Sequence, residues 1–221
     1  MTGQIGSNIV ALVALTGLLG LIPMMVVCVT SFAKISVVLF LVRNALGIQQ
    51  TPPNLVLYAV SIILSFYVMA PVLTNVYAVV TDPRASYASV SDWERVAADS
   101  VAPVRRFLDR HATPESRVFF VESTRKLWEQ QPRGGVQDTD LVILVPAFLV
   151  SELRRAFEIG FLLYLPFIAI DLVVSAILMA LGMQMMSPTV VSTPFKLLLF
   201  VSVDGWRRLL EGLILSYAPA I

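Results

Sequence analysis

Thirty-eight consecutive residues, Asn44 to Thr81, carry no Asp, Glu, Lys or Arg, and neither do residues 1–33. Soluble domains are about a quarter charged, so uncharged runs of this length do not belong on a solvated surface. At 1.5 Å per residue each is long enough to cross a hydrocarbon core of ~30 Å. A bilayer or a very apolar assembly is therefore the expected setting. The bulk composition agrees: of 221 residues, 57% are apolar and 14% charged.

The charges that do exist are concentrated. Residues 82–140 hold 19 of the chain's 31 charged side chains, ten acidic and nine basic. The organisation is thus an N-terminal hydrophobic hairpin (1–81), a hydrophilic helical insert (82–140) and a C-terminal hydrophobic part (141–221). The expected fold class is all-α: membrane-type, kinked, hydrophobic helical hairpins around a hydrophilic helical insert. A net charge of +1 provides no long-range field for a polyanion, so no nucleic-acid partner is expected.

Three apolar segments are expected to be helices: Ile9–Val29, Pro53–Thr81 and Glu158–Leu181. Thr51 is the expected N-cap of the second, with Pro52 and Pro53 in its first turn. Pro23, Pro71 and Pro166 lie near the middle of the three segments, and each removes a hydrogen bond, which predicts kinks. The start of the chain has no basic region and no Ala-x-Ala-like site, so a retained anchor is expected rather than a cleaved signal peptide.

A fourth segment, Phe195–Tyr217, contains Asp204, Arg207, Arg208 and Glu211. On one helix these form a stripe, with Asp204–Arg208 and Arg207–Glu211 paired at i,i+4. Each such charge costs ~2.5–3.5 kcal/mol at a bilayer centre against a gain of ~0.3–0.6 per Leu or Val, so the stripe must face protein or water.

In the insert, Val101, Val104, Phe107 and Leu108 share one helical face. Thr113-Pro114-Glu115 has the chemistry of a helix start: a cap, a proline at the first position and an acid in the first turn. That helix runs through Phe119, Phe120, Leu127 and Trp128 and is expected to stop at Pro132-Arg133-Gly134-Gly135. Lys34 and Arg43, read as lying on a short connection between the first two apolar helices, place that connection in the cytoplasm and the insert on the periplasmic side of an inner membrane.

Signatures of catalysis are missing. No phosphate-binding glycine loop, nucleophile elbow or metal-spaced Cys/His pattern occurs, so neither an enzyme nor a cofactor or metal is expected. Cys28 lies in an apolar run, and the lone His111 reads as a surface residue. What remains is a set of isolated charges in apolar surroundings, which must pair or face water. Arg154 and Glu158 pair at i,i+4. Glu152 and Lys196 are candidates to meet across a subunit boundary, with Glu158 and Asp171 as competing partners. The other unusual stretch is 182–188, Gly-Met-Gln-Met-Met-Ser-Pro. Methionine is unbranched and adaptable, suited to closing an irregular gap that must reopen.

Thr30-Ser31-Phe32-Ala33-Lys34, Arg43-Asn44-Ala45-Leu46-Gly47 and Gln50-Thr51-Pro52-Pro53-Asn54 resemble the N-terminal half of the SctR/FliP family. Pro146-Ala147-Phe148, the run Ser151–Gly160, Pro194-Phe195-Lys196 and Asp204-Gly205-Trp206 resemble its C-terminal half. These are export-apparatus subunits of type III secretion systems, and the short uncharged N-terminus is closer to the injectisome branch. The resemblance implies a homo-pentamer with SctS and SctT type subunits, forming an export gate largely raised above the bilayer plane. SctU and SctV type subunits and a secretion ATPase belong to the wider complex, which passes unfolded proteins. It also implies a pore gasket at Met183, Met185 and Met186, with Gln184 inside the run. The rival readings are a small autonomous channel or secondary transporter with Asp171 as its ion site, and a purely structural membrane scaffold. The transporter reading needs inverted repeats, which the two halves do not show.

Overall fold

The computed structural model describes residues 2–48, 50–83, 87–128, 135–183 and 185–218, and all regular structure among them is helical. The order is α1 (Thr2–Val29), α2 (Phe32–Ala45), α3 (Asn54–Val80), α4 (Val90–His111), α5 (Pro114–Leu127), α6 (Leu141–Ala180), α7 (Pro188–Ser202) and α8 (Gly205–Leu215).

Two of these helices, α3 and α6, are long and apolar enough to cross a membrane, and the bent pair α1–α2 raises the number to three. The bend between Leu19–Val29 and Phe32–Ala45 is 69°. It falls at Thr30–Ser31, not at a proline; the helices continue through Pro23, Pro71, Pro146 and Pro166. Hydroxyls mark the bend. Thr30 Oγ1 donates to the Val26 carbonyl, Ser65 Oγ on α3 donates to Thr30 Oγ1 at 3.0 Å, and Ser31 Oγ donates to Ser65 Oγ at 3.2 Å. Side chains that bond back to the preceding turn compete with the helix ladder and favour bending there.

The connection expected to carry Lys34 and Arg43 is itself a helix, α2, and it is the most buried element of the fold. Ile35, Val38, Leu39, Val42 and Ala45 are all within the core, with Leu57 of α3, Ala156 and Phe167 of α6, Phe200 of α7 and Leu213 of α8 around them. A second cluster joins the insert to the apolar helices: Phe107 and Leu108 of α4 meet Met69 of α3 and Leu144, Ala147 and Phe148 of α6. The face predicted for Val104, Phe107 and Leu108 is therefore the docking face of α4.

Local signals explain several ends. Ser89 and Asp92 form a reciprocal capping box at the start of α4. Thr113 caps α5, its hydroxyl accepting from the Ser116 N–H at 3.4 Å, and its own N–H donates to Ser151 Oγ at 2.9 Å, fastening the α4–α5 corner to α6. Thr51 does not cap α3: the helix starts at Asn54 behind Pro53, with no side-chain cap. The single helix expected over Phe195–Tyr217 is two. Asp204 adopts a left-handed conformation (φ 52°) and separates α7 from α8. Of the expected stop of α5, residues 132–134 lie outside the described residues.

Candidate functional site

The sequence motifs of the two halves meet in space. In the first meeting, Lys34 of α2 and Glu152 of α6 face each other at 3.4 Å, and neither side chain is exposed to solvent. Arg155 reaches the other Glu152 oxygen at 3.0 Å and donates to the His111 carbonyl at 2.9 Å. The Tyr217 hydroxyl, just beyond α8, donates to Glu152 Oε2. The Lys34 ammonium makes no well-directed hydrogen bond among the described residues; it lies over the Tyr217 ring, 3.5 Å from its centroid. A buried carboxylate is tolerable only when its oxygens are satisfied, and here one Arg, one Tyr and one Lys converge on it from three directions.

In the second meeting, Lys196 of α7 contacts Asp171 of α6 at 2.6 Å and donates to the Ala45 carbonyl at 3.1 Å. Ser192 Oγ donates to the second Asp171 oxygen. Ala45 is the last residue of α2, so the ammonium sits where the helix dipole favours a cation. Gly47, beside it, has φ +74°, and a Cβ there would lie 2.9 Å from Thr193 Oγ1, so a side chain would press on α7. Arg43, next to this site, bonds Asn54 Oδ1 at 2.6 Å.

Glu152 and Lys196, expected to seek each other across a boundary, thus each hold partners within their own chain. Asp171 is likewise the in-chain partner of Lys196. Glu158 pairs with Arg154 at 3.0 Å on an exposed face, a geometry that contributes little.

The charged stripe is reorganised by the break at Asp204. Neither i,i+4 pair forms among the described residues; Arg207 instead approaches Asp204 at 3.9 Å. On α8, Gly205, Leu209 and Leu213 face inward and leave Arg207, Arg208 and Glu211 exposed.

The methionine run is the turn joining α6 to α7. Gly182 (φ +73°) ends α6; its N–H bonds the Met179 carbonyl, and the Met183 N–H bonds that of Leu178. This is the left-handed glycine cap that closes many helices. Met185 is wholly exposed, Met183 and Met186 about two-fifths so. Gln184 lies outside the described residues. Behind the turn, α6 and α7 enclose an apolar groove of about 500 Å³ lined by Ile170, Val173, Ile177, Val191 and Phe195.

A family model described as the FliP family matches residues 15–213. This chain belongs to the FliP family. A probable translocation protein, y4yL of Sinorhizobium fredii, is 56% identical over 209 residues, covering 95% of this chain and 94% of that protein. The Yop proteins translocation protein R of Yersinia pestis is 50% identical over 206 residues, 93% and 95% of the two chains. The harpin secretion protein HrcR of Erwinia amylovora is 42% identical over 201 residues, 91% and 93% of the two.

Two members of the central cluster of this FliP-family chain were not apparent in its sequence. His111 is buried (7% exposed), not at the surface, its ring 4.7 Å from that of Phe107 and 5.1 Å from that of Tyr217. Burial, aided by the positive charges of Lys34, Arg155 and Arg110, pushes its pKa down to about 4. Tyr217 lies near the end of the chain with no motif around it, and burial beside the Glu152 carboxylate pushes its hydroxyl pKa well up, so it remains a proton donor. The one available signal for His111 was position: it follows Phe107 and Leu108 by one turn on the same face.

Proposed function

We propose that this chain is a pore-forming core subunit of a type III secretion export gate, through which unfolded proteins cross the bacterial inner membrane. Five copies would surround the conduit together with SctS and SctT type subunits, with SctU and SctV type subunits and a secretion ATPase in the wider complex. The chain carries no nucleotide motif, so its role is passive: it forms the path and does not catalyse, and the energy comes from the ATPase or the proton-motive force. The hydrophilic insert would face the periplasm.

The observation that carries this reading is the α6–α7 turn. Three methionines project from a tight glycine-capped hairpin whose two helices are joined by the partly buried Lys196–Asp171 pair. A gasket needs such a combination, with soft apolar tips on a rigid support. The names of the relatives, translocation and secretion proteins, support the same reading. So does the exposure of large apolar side chains along α3 and α6, among them Ile63, Phe66, Phe161 and Leu172, which require lipid or neighbouring subunits.

The test is replacement of Met183, Met185 and Met186 together by Ala in the assembled complex. The turn contributes little to the core, so assembly should persist while cells become permeable to small solutes. Membranes that stay tight around a correctly assembled mutant would refute the gasket. A mass for the detergent-purified complex that contains a single copy of this chain would refute the ring.

A further inference from the structure

We propose that Met183, Met185 and Met186 of the α6–α7 turn are a site of reversible oxidation, where peroxide converts thioether to sulfoxide and thereby opens the seal. This rests on the gasket reading of the same turn and adds a chemical control to it.

Of the chain's eight methionines, those of the turn stand apart. Met69 is 4% exposed, within the core shared by α3, α4 and α6. Met24, Met25 and Met179 are exposed, but they lie within α1 and α6, long apolar helices whose faces require lipid or neighbouring subunits. Met185 is wholly exposed on a turn that belongs to no helix face. As a gasket, that turn must meet a passing chain, so its sulfurs are open to a solute as small as hydrogen peroxide.

The fold does not depend on these thioethers. Main-chain bonds shape the turn: the Gly182 N–H donates to the Met179 carbonyl at 3.1 Å, the Met183 N–H to that of Leu178 at 2.9 Å, and the Met186 N–H to that of Met183 at 3.3 Å. A Cβ on Gly182 would meet nothing within 4 Å, so there is room beside the turn for an added oxygen. Oxidation therefore changes the chemistry of the tips and leaves their support in place.

In the reaction the sulfur lone pair attacks one oxygen of hydrogen peroxide. An S–O bond forms, the O–O bond breaks, and the other oxygen leaves as water with both protons. Sulfur gives up two electrons, which the peroxide takes. Methionine sulfoxide reductases regenerate the thioether, releasing the oxygen as water while a dithiol is oxidised to a disulfide. The sulfoxide is polar and accepts hydrogen bonds. Tips that closed by excluding water would then hold it, and the closed ring would leak.

For the test, the purified full complex is reconstituted in vesicles and exposed to hydrogen peroxide. Oxidised sites are mapped by peptide mass spectrometry, and leakage is read as release of a small trapped dye. Met185 should oxidise roughly ten-fold faster than Met69, or more, because thioether oxidation follows exposure. Dye release should rise several-fold and fall again after treatment with the two reductases, one for each sulfoxide epimer. Met183→Leu, Met185→Leu and Met186→Leu together keep apolar tips of similar volume without the sulfur, and this complex should stay tight under the same peroxide. Met185→Gln, with a polar tip of similar length, should leak with no oxidant, and it provides the readout if the triple variant does not assemble. Oxidation of the turn no faster than that of Met69, or peroxide-induced leakage undiminished in the leucine variant, would overturn the site. An oxidised turn that stays tight while the alanine complex of the gasket test leaks would overturn the oxidative opening and leave the gasket standing. If the alanine complex is also tight, both fall.

Discussion

Gly160 of α6 and Leu41 of α2 approach so closely that a Cβ on the glycine would lie 2.3 Å from Leu41 Cδ1 and 3.2 Å from its Cβ. This contact sets how near the two central helices lie, and with it the reach between Lys34 and Glu152. Gly160→Ala should be tolerated with a small loss, because the end of Leu41 can rotate away. Gly160→Val should destabilise by about 1–3 kcal/mol, the range for an overpacked core. Thermal unfolding of the purified complex measures both; an unshifted melting temperature for the valine variant would show that the helices separate freely.

Glu152 takes charge or a hydrogen bond from Lys34, Arg155 and Tyr217 at once. Lys34→Met removes the cation and leaves a buried carboxylate less compensated, a loss of about 3–5 kcal/mol. Tyr217→Phe keeps the ring under Lys34 and deletes only the donor, a loss of about 1–3 kcal/mol. That order of severity, read by protease resistance of the complex, is expected. Equal effects would mean that the Tyr217 hydroxyl matters to Glu152 as much as the Lys34 charge does.

At the second meeting point, Asp171→Lys and Lys196→Asp should each prevent stable accumulation of the chain, since each places two like charges in a largely buried space. The double swap should restore accumulation only in part. Aspartate at 196 would have no ammonium to give the Ala45 carbonyl. Full restoration would assign no weight to that helix-end bond.

His111 ties stability to pH. Its pKa of about 4 in the fold lies below the ordinary value of 6.5, so between these limits the unfolded chain binds more protons. Stability should therefore be complete above pH 6.5 and fall as the pH drops toward 4, by up to about 3 kcal/mol. His111→Phe should flatten this slope in denaturant titrations at several pH values. A slope that survives the substitution would show that His111 is not its source.

The helical class and the long apolar helices were legible in the sequence. Both follow from local chemistry: the uncharged runs and the Thr113 cap. Motif spelling was enough for the family. Among the local readings that failed, two show the reason most clearly. Lys34 and Arg43 suggested a loop because exposed charge is the common case, whereas a compensated charge is compatible with the most buried helix. Phe195–Tyr217 read as one helix because its apolar content is similar on both sides of Asp204, and a single left-handed residue leaves no periodic trace.

Partner choice among the buried charges was decided by the tertiary structure alone. Spacing along a helix fixes which residues share a face, so Arg154 and Glu158 could be paired on sight. No spacing relates Lys34 to Glu152, Lys196 to Asp171, or Tyr217 to either group. Those pairs depend on the register in which α2, α6, α7 and α8 dock. Register is set by shape, by the Gly160–Leu41 approach and the space left at Gly47. A buried charge takes whichever opposite charge that docking brings within about 4 Å, because in a low-dielectric interior it cannot remain without one.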